Sequence, residues 1–109
     1  MQLGAGRAAS VCGRLFADSG AEVILADPSD NHSPDAYFNH GKRVANGEAD
    51  LTAALANADL VVVQGGPAQL AVRGWGAAGL RTAAPGAALV LISPYGQTGP
   101  QANDPATDL

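Results

Sequence analysis

The sequence predicts an α/β protein of three layers, a short parallel sheet with helices on both faces, folded as a single domain over residues 1–109. Three observations carry this reading. Leu60-Val61-Val62-Val63 and Ala88-Leu89-Val90-Leu91-Ile92 are continuous apolar runs, as expected of strands covered on both faces in a parallel sheet. Strand-like and helix-like segments alternate at spacings that suit right-handed crossovers. A glycine-rich turn, Gly4-Ala5-Gly6, stands directly before the first helical pattern.

Residues 1–4 are short for a strand but lead straight into that turn. Val11, Leu15 and Phe16 then recur at helical spacing until Ser19-Gly20 stops the pattern. Val23-Ile24-Leu25 reads as a buried strand ending at Asp27-Pro28, so the opening forms a βαβ unit with a shortened first strand. Residues 29–46 are polar and turn-rich, with Pro34 and Gly41, and read as an excursion without a core element. Residues 50–58 form a short amphipathic helix on Leu51 and Leu55, with Asp50 or Thr52 at its start. Beyond the strand at 60–63, Gly74, Gly76 and Gly79 break residues 68–82 into one or two helical turns. The last strand, 88–92, runs into Pro94-Tyr95-Gly96-Gln97-Thr98-Gly99-Pro100.

Composition limits the function classes. Hydrophobic residues make up 47% but include only two Phe, two Tyr and one Trp, so the core is built of small and branched aliphatic side chains. Six cations and a net charge of −4 disfavour nucleic acid, which needs a clustered basic face. The single cysteine, Cys12, excludes an internal disulfide and reads as a small core residue of a protein in a reducing cytoplasm. No apolar run approaches the roughly 20 residues of a membrane-spanning helix, and no signal-like leader opens the sequence. His32 and His40 lack partners at metal-ligand spacing, so no metal is expected.

Three stretches carry candidate chemistry. Gly4-Ala5-Gly6-Arg7-Ala8-Ala9 nearly matches G-x-G-x-x-G/A, with Asp27 about twenty residues on. Glycines there let backbone approach a pyrophosphate, the helix N-terminus favours its charge, and the carboxylate takes a ribose hydroxyl. That would make a small NAD-binding Rossmann-like module, although a chain with fourteen glycines can present the pattern by chance. Asn39-His40-Gly41-Lys42-Arg43 sets two adjacent cations after a glycine, either a phosphate grip or a solvated loop. The 93–100 loop lies past the C-terminal end of a buried strand, where open α/β sheets collect ligands, or is a hydrogen-bonded turn.

Together these segments resemble a known family. Residues 14–24, R-L-F-A-D-S-G-A-E-V-I, resemble R-L-L-A-D-L-G-A-E-V-I; residues 39–43 resemble N-R-G-K-R; residues 58–62 resemble A-D-V-V-V; and residues 91–100 resemble a strand followed by S-G-F-G-Q-T-G-P. This is the pattern of the class III, CaiB/BaiF-type coenzyme A transferases, and the resemblance spans residues 3–109. It implies part of a Rossmann-like large domain, truncated relative to the family, whose members form interlocked homodimers and move coenzyme A between carboxylic acids through an aspartyl mixed anhydride. Matched position by position, the resemblance implies a coenzyme A or acyl-CoA site at Gly6, Arg7, Ala8, Asn39, Lys42, Arg43, Gln64, Tyr95, Gly96 and Gln97. Gln64 stands at the family's E-N-F asparagine, and Tyr95 replaces the usual Phe. The E-N-F-R-P-G segment has become Val63-Gln64-Gly65-Gly66-Pro67-Ala68, and no arginine follows Asp27-Pro28. The family's nucleophilic aspartate lies in a later Gly-Asp segment, and Asp108 matches a different, G-Y-D-like stretch. The expectation is therefore coenzyme A binding without turnover by these residues alone. A non-catalytic interaction domain using an exposed sheet edge remains the other alternative.

Overall fold

The computed structural model describes residues 1–4, 6–26 and 36–106. Its elements are β1 (Gln2–Leu3), α1 (Arg7–Asp18), β2 (Ile24–Ala26), α2 (Ala36–Asn39), β3 (Arg43–Val44), α3 (Gly47–Ala56), β4 (Leu60–Gln64), α4 (Pro67–Val72), α5 (Ala77–Ala83) and β5 (Ala88–Ile92). The five strands make one sheet in the order β3-β2-β1-β4-β5, and every neighbouring pair is parallel. The chain runs outward from β1 to β3, then crosses back to β4, so strand order reverses between β1 and β4. α1 packs with α2 and α3 with α5, and right-handed crossovers put the two sets on opposite faces.

Burial follows the apolar run of β4 but not that of β5, which closes the sheet's edge and leaves Ala88 and Val90 exposed, against the expectation of cover on both faces. Val61, Val62 and Val63 in β4 are all buried, as a strand covered on both faces requires. Leu3, Leu55, Leu70, Leu80 and Ala84 close around Val61 and Val63, and Trp75 packs partly buried against them. Among the described residues, no helix is long and apolar enough to cross a membrane.

Two expectations need revision. The excursion over 29–46 holds α2 and the edge strand β3 in its described portion, because Arg43 N and Ala45 N donate to the carbonyls of Val23 and Leu25. α3 starts at Gly47, and Asp50 supports that start from within the first turn, accepting the Asn46 backbone N–H at 2.8 Å. In α1, Val11, Leu15 and Phe16 face solvent, while Ala9, Ser10 and Gly13 are buried. Small residues bring this helix close to the sheet, and its bulky apolar side chains are left outside.

Candidate functional site

Parallel strands bring their C-terminal ends to one rim of the sheet, and strand order reverses there between β1 and β4, the position at which open α/β sheets seat ligands. Gly4 leaves β1 with φ +79°, a conformation that favours glycine; a Cβ there would sit 3.3 Å from the Gln64 carbonyl oxygen of β4. Gly6 is the N-cap of α1 and offers no side chain to the first-turn N–H groups, nor is there an acidic residue in that turn. Gln64 supplies one from the neighbouring strand: its Oε1 accepts the Ala9 N–H at 3.0 Å. The fit explains the glycine, since a Cβ on Gly6 would lie 2.0 Å from Gln64 Cδ. A neutral amide thus occupies the helix start, where the fold would seat an anion.

The loop after β5 completes this rim. Gln97 Nε2 donates to the Gly65 carbonyl at 3.1 Å, folding residues 93–97 over the end of β4. Tyr95 and Gly96 stand exposed at its tip. Ser93 Oγ, one residue past the β5 partner of Gln64, is buried and has no hydrogen-bond partner among the described residues. Asn103 Oδ1 accepts the Ala68 N–H at 2.9 Å, which ties the following segment to the first turn of α4.

Asn39 and Lys42 lie under α1 rather than at the rim. Lys42 Nζ donates to Gln2 Oε1 at 2.7 Å and to the Ser10 carbonyl at 2.9 Å, and more weakly to Asn39 Oδ1 at 3.4 Å. Gln2, only 1% exposed, also donates to Ser10 Oγ at 3.3 Å. The network ties β1, α1 and the turn before β3 together. Burial, and then the charge of Arg14, push the Lys42 ammonium below the ordinary lysine value. Arg43 points elsewhere, pairing with Asp50 at 2.6 Å and Glu22 at 3.5 Å. Its hydrogen bond and charge hold the Asp50 carboxyl below the usual carboxylate value, helped by the Asn46 N–H.

The structure therefore brings Gly6, Arg7, Ala8, Gln64 and the Tyr95-Gly96-Gln97 tip to one rim, joins Asn39 and Lys42 beneath α1, and leaves Arg43 at the edge of β3. Asp27, His32 and Asp108 lie outside the described residues. Among the described residues, no group of three His, Cys, Asp or Glu is placed to hold a metal ion. Sequence reasoning missed Gln2, which only a polar residue beside Leu3 in a strand this short signals, and it placed Ser93 in the candidate 93–100 loop without singling out its hydroxyl. A separate cavity of about 580 Å³ opens at the opposite rim, among Met1, Phe16, Val23, Ala54 and Leu60.

The sequence matches the family model described as CoA-transferase family III over residues 1–109. No curated protein matches. Among solved structures, the chain is similar to the hypothetical protein Rv3272 from Mycobacterium tuberculosis, at 23% identity and a TM-score of 0.75 over 100% of this chain and 37% of that one. An orthorhombic crystal form of Rv3272 gives 21% identity and a TM-score of 0.74, with 99% and 36% covered. The chain thus spans little more than a third of the length of these neighbours, and at such identities the likeness shows the fold.

Proposed function

The chain belongs to CoA-transferase family III, and on that premise we propose that it binds coenzyme A or acyl-CoA at the rim between β1 and β4. The supporting observation is the Gln64 contact. First-turn N–H groups of α1, lacking a cap of their own, are offered at the strand reversal, and a displaceable side chain takes the Ala9 donor. In this reading the coenzyme's pyrophosphate meets the backbone of Gly6, Arg7 and Ala8, and Gln64 swings aside or donates through its amide. Tyr95 supplies an aromatic face for adenine beside Gly96 and Gln97. The buried Ser93 hydroxyl, unpartnered among the described residues, is a donor for a ligand at this rim. Asn39 and Lys42 act through Ser10, holding α1 at the height the turn requires, and Arg43 joins only by releasing Asp50 and Glu22.

The CaiB/BaiF type, a cytoplasmic setting, a single partial large domain and inactivity of these residues alone are parts of the same proposal. A rival NAD site would use the same turn, but its acidic partner, Asp27, lies outside the described residues, whereas the family match favours coenzyme A. Thermal unfolding with coenzyme A, ADP and NAD separates the two, because a ligand of the folded state raises the midpoint. A rise with coenzyme A that exceeds the rise with NAD is expected. A rise with NAD and none with coenzyme A would reverse the assignment.

A further inference from the structure

The turn from β3 into α3 is made by Asn46-Gly47, the single Asn-Gly pair in the sequence. Both residues are exposed. Gly47 has φ +84°, a conformation that favours glycine, and a Cβ there would meet nothing within 4 Å. Asn46 is the N-cap of α3, where an asparagine side chain ordinarily accepts a first-turn N–H, yet it makes no such bond. The other described asparagines are all held: Asn39 by Lys42 at 3.4 Å, Asn57 by the Ala53 carbonyl at 2.8 Å and Asn103 by the Ala68 N–H at 2.9 Å. Gly47, as the first residue of α3, has an N–H that the helix itself cannot pair. An electrophilic amide carbon and a nucleophilic backbone nitrogen thus stand next to each other in the chain, neither tied down, with no side chain on Gly47 to keep them apart.

We propose that Asn46-Gly47 is a site of spontaneous covalent modification, at which the Gly47 backbone nitrogen closes on Asn46 Cγ and the turn is rewritten as an isoaspartyl linkage. In the first step a bond forms between the Gly47 nitrogen and Asn46 Cγ, and the Cγ–Nδ2 bond breaks. The side-chain nitrogen leaves as ammonia, carrying the proton of the Gly47 N–H, and a cyclic imide remains. Water then opens the ring. Cleavage at Cγ restores the ordinary backbone with an aspartate at position 46. Cleavage at the backbone carbonyl routes the chain through Cβ and Cγ and leaves the former carbonyl as a free carboxylate. Nothing is oxidised or reduced: one water is consumed, one ammonia is released and one negative charge is gained. The isoaspartyl product lengthens the link between β3 and α3 by one carbon. The Asn46 N–H lies on one side of that link and its acceptor, Asp50 Oδ2 at 2.8 Å, on the other, so the insertion breaks this bond and loosens the anchor of the Asp50–Arg43 pair. The ordinary aspartate product keeps the bond and adds charge that suits a helix start.

The test holds the whole chain folded at mildly alkaline pH and body temperature and follows it by isoelectric focusing and peptide mass mapping. An acidic species is expected to accumulate, with the change mapped to the peptide that holds residues 46 and 47. Asn46→Ser, which keeps a side chain suited to the N-cap, should abolish it. Because neither reacting group is held, the rate in the folded chain should lie within about threefold of the rate in urea. The purified isoaspartyl form should also melt below Asn46→Asp, which carries the same charge on an unaltered backbone. No acidic species, one that persists in Asn46→Ser, or protection by the fold of about tenfold or more would overturn the site. Equal midpoints for the isoaspartyl form and Asn46→Asp would overturn the break at Asp50.

Discussion

Replacing Gly13 by alanine puts helix propensity and packing in direct opposition. Gly13 lies in the middle of α1, where glycine to alanine ordinarily stabilises by about 0.5–1 kcal/mol. Here the new methyl carbon would stand 2.3 Å from Gln2 Oε1 and 3.1 Å from both Cε and Nζ of Lys42. Gln2 is almost fully buried and cannot swing into water, so the methyl must displace α1 or break the 2.7 Å bond from Lys42. Overpacking of this kind costs about 1–3 kcal/mol, and losing a hydrogen bond to a charged group costs about 1.5–3 kcal/mol. Set against the propensity gain, the net expectation is destabilisation by about 0.5–2.5 kcal/mol, read as a lower urea midpoint with an unchanged slope. Gln2→Ala supplies the control: it removes the atom in the way, so adding Gly13→Ala in that background should cost under about 1 kcal/mol or stabilise. A single Gly13→Ala variant more stable than wild type would refute the reasoning, as would an equal cost in both backgrounds.

Two further perturbations address the rim and the β3 edge. Gln64→Glu places a permanent negative charge against the first turn of α1, which should raise stability by about 0.3–1 kcal/mol and abolish the response to coenzyme A; retained coenzyme binding would detach the pyrophosphate from this turn. Asp50 has its folded value depressed by Arg43, so its contribution is present above the ordinary carboxylate value and lost as pH falls through the depressed one. The difference in thermal midpoint between wild type and Asp50→Asn should therefore be present near neutral pH and vanish in acid, and a difference independent of pH would contradict the pairing.

How much of this was legible from residues alone varies with the physics of each element. The runs 60–63 and 88–92 announced β4 and β5, but only β4 is covered on both faces; an apolar run reports a strand without saying whether it is central or, like β5, at the edge, and the glycines at 74 and 76 placed the break between α4 and α5. The helical period of Val11, Leu15 and Phe16 located α1 but not its inner face, since periodicity reports a stripe without saying which stripe touches the sheet. Ala9, Ser10 and Gly13 won that side because only small side chains let the helix approach Gln2 and Lys42. β3 escaped notice because a two-residue edge strand carries no pattern of its own. At the rim, Gly6 and the 93–100 loop were visible as turn chemistry. The Gln64 amide reaching across to Ala9, and the Lys42 ammonium turned inward to Gln2, depend on contacts between residues far apart in the chain.

The rim between β1 and β4 is the proposed seat of the coenzyme, and backbone amide NMR during a coenzyme A titration tests this directly. The largest shifts are expected at Gly6, Arg7, Ala8 and Ala9, at Gly65, and at Tyr95, Gly96 and Gln97. Shifts gathered instead around Phe16, Ala54 and Leu60, at the cavity on the opposite rim, would contradict it.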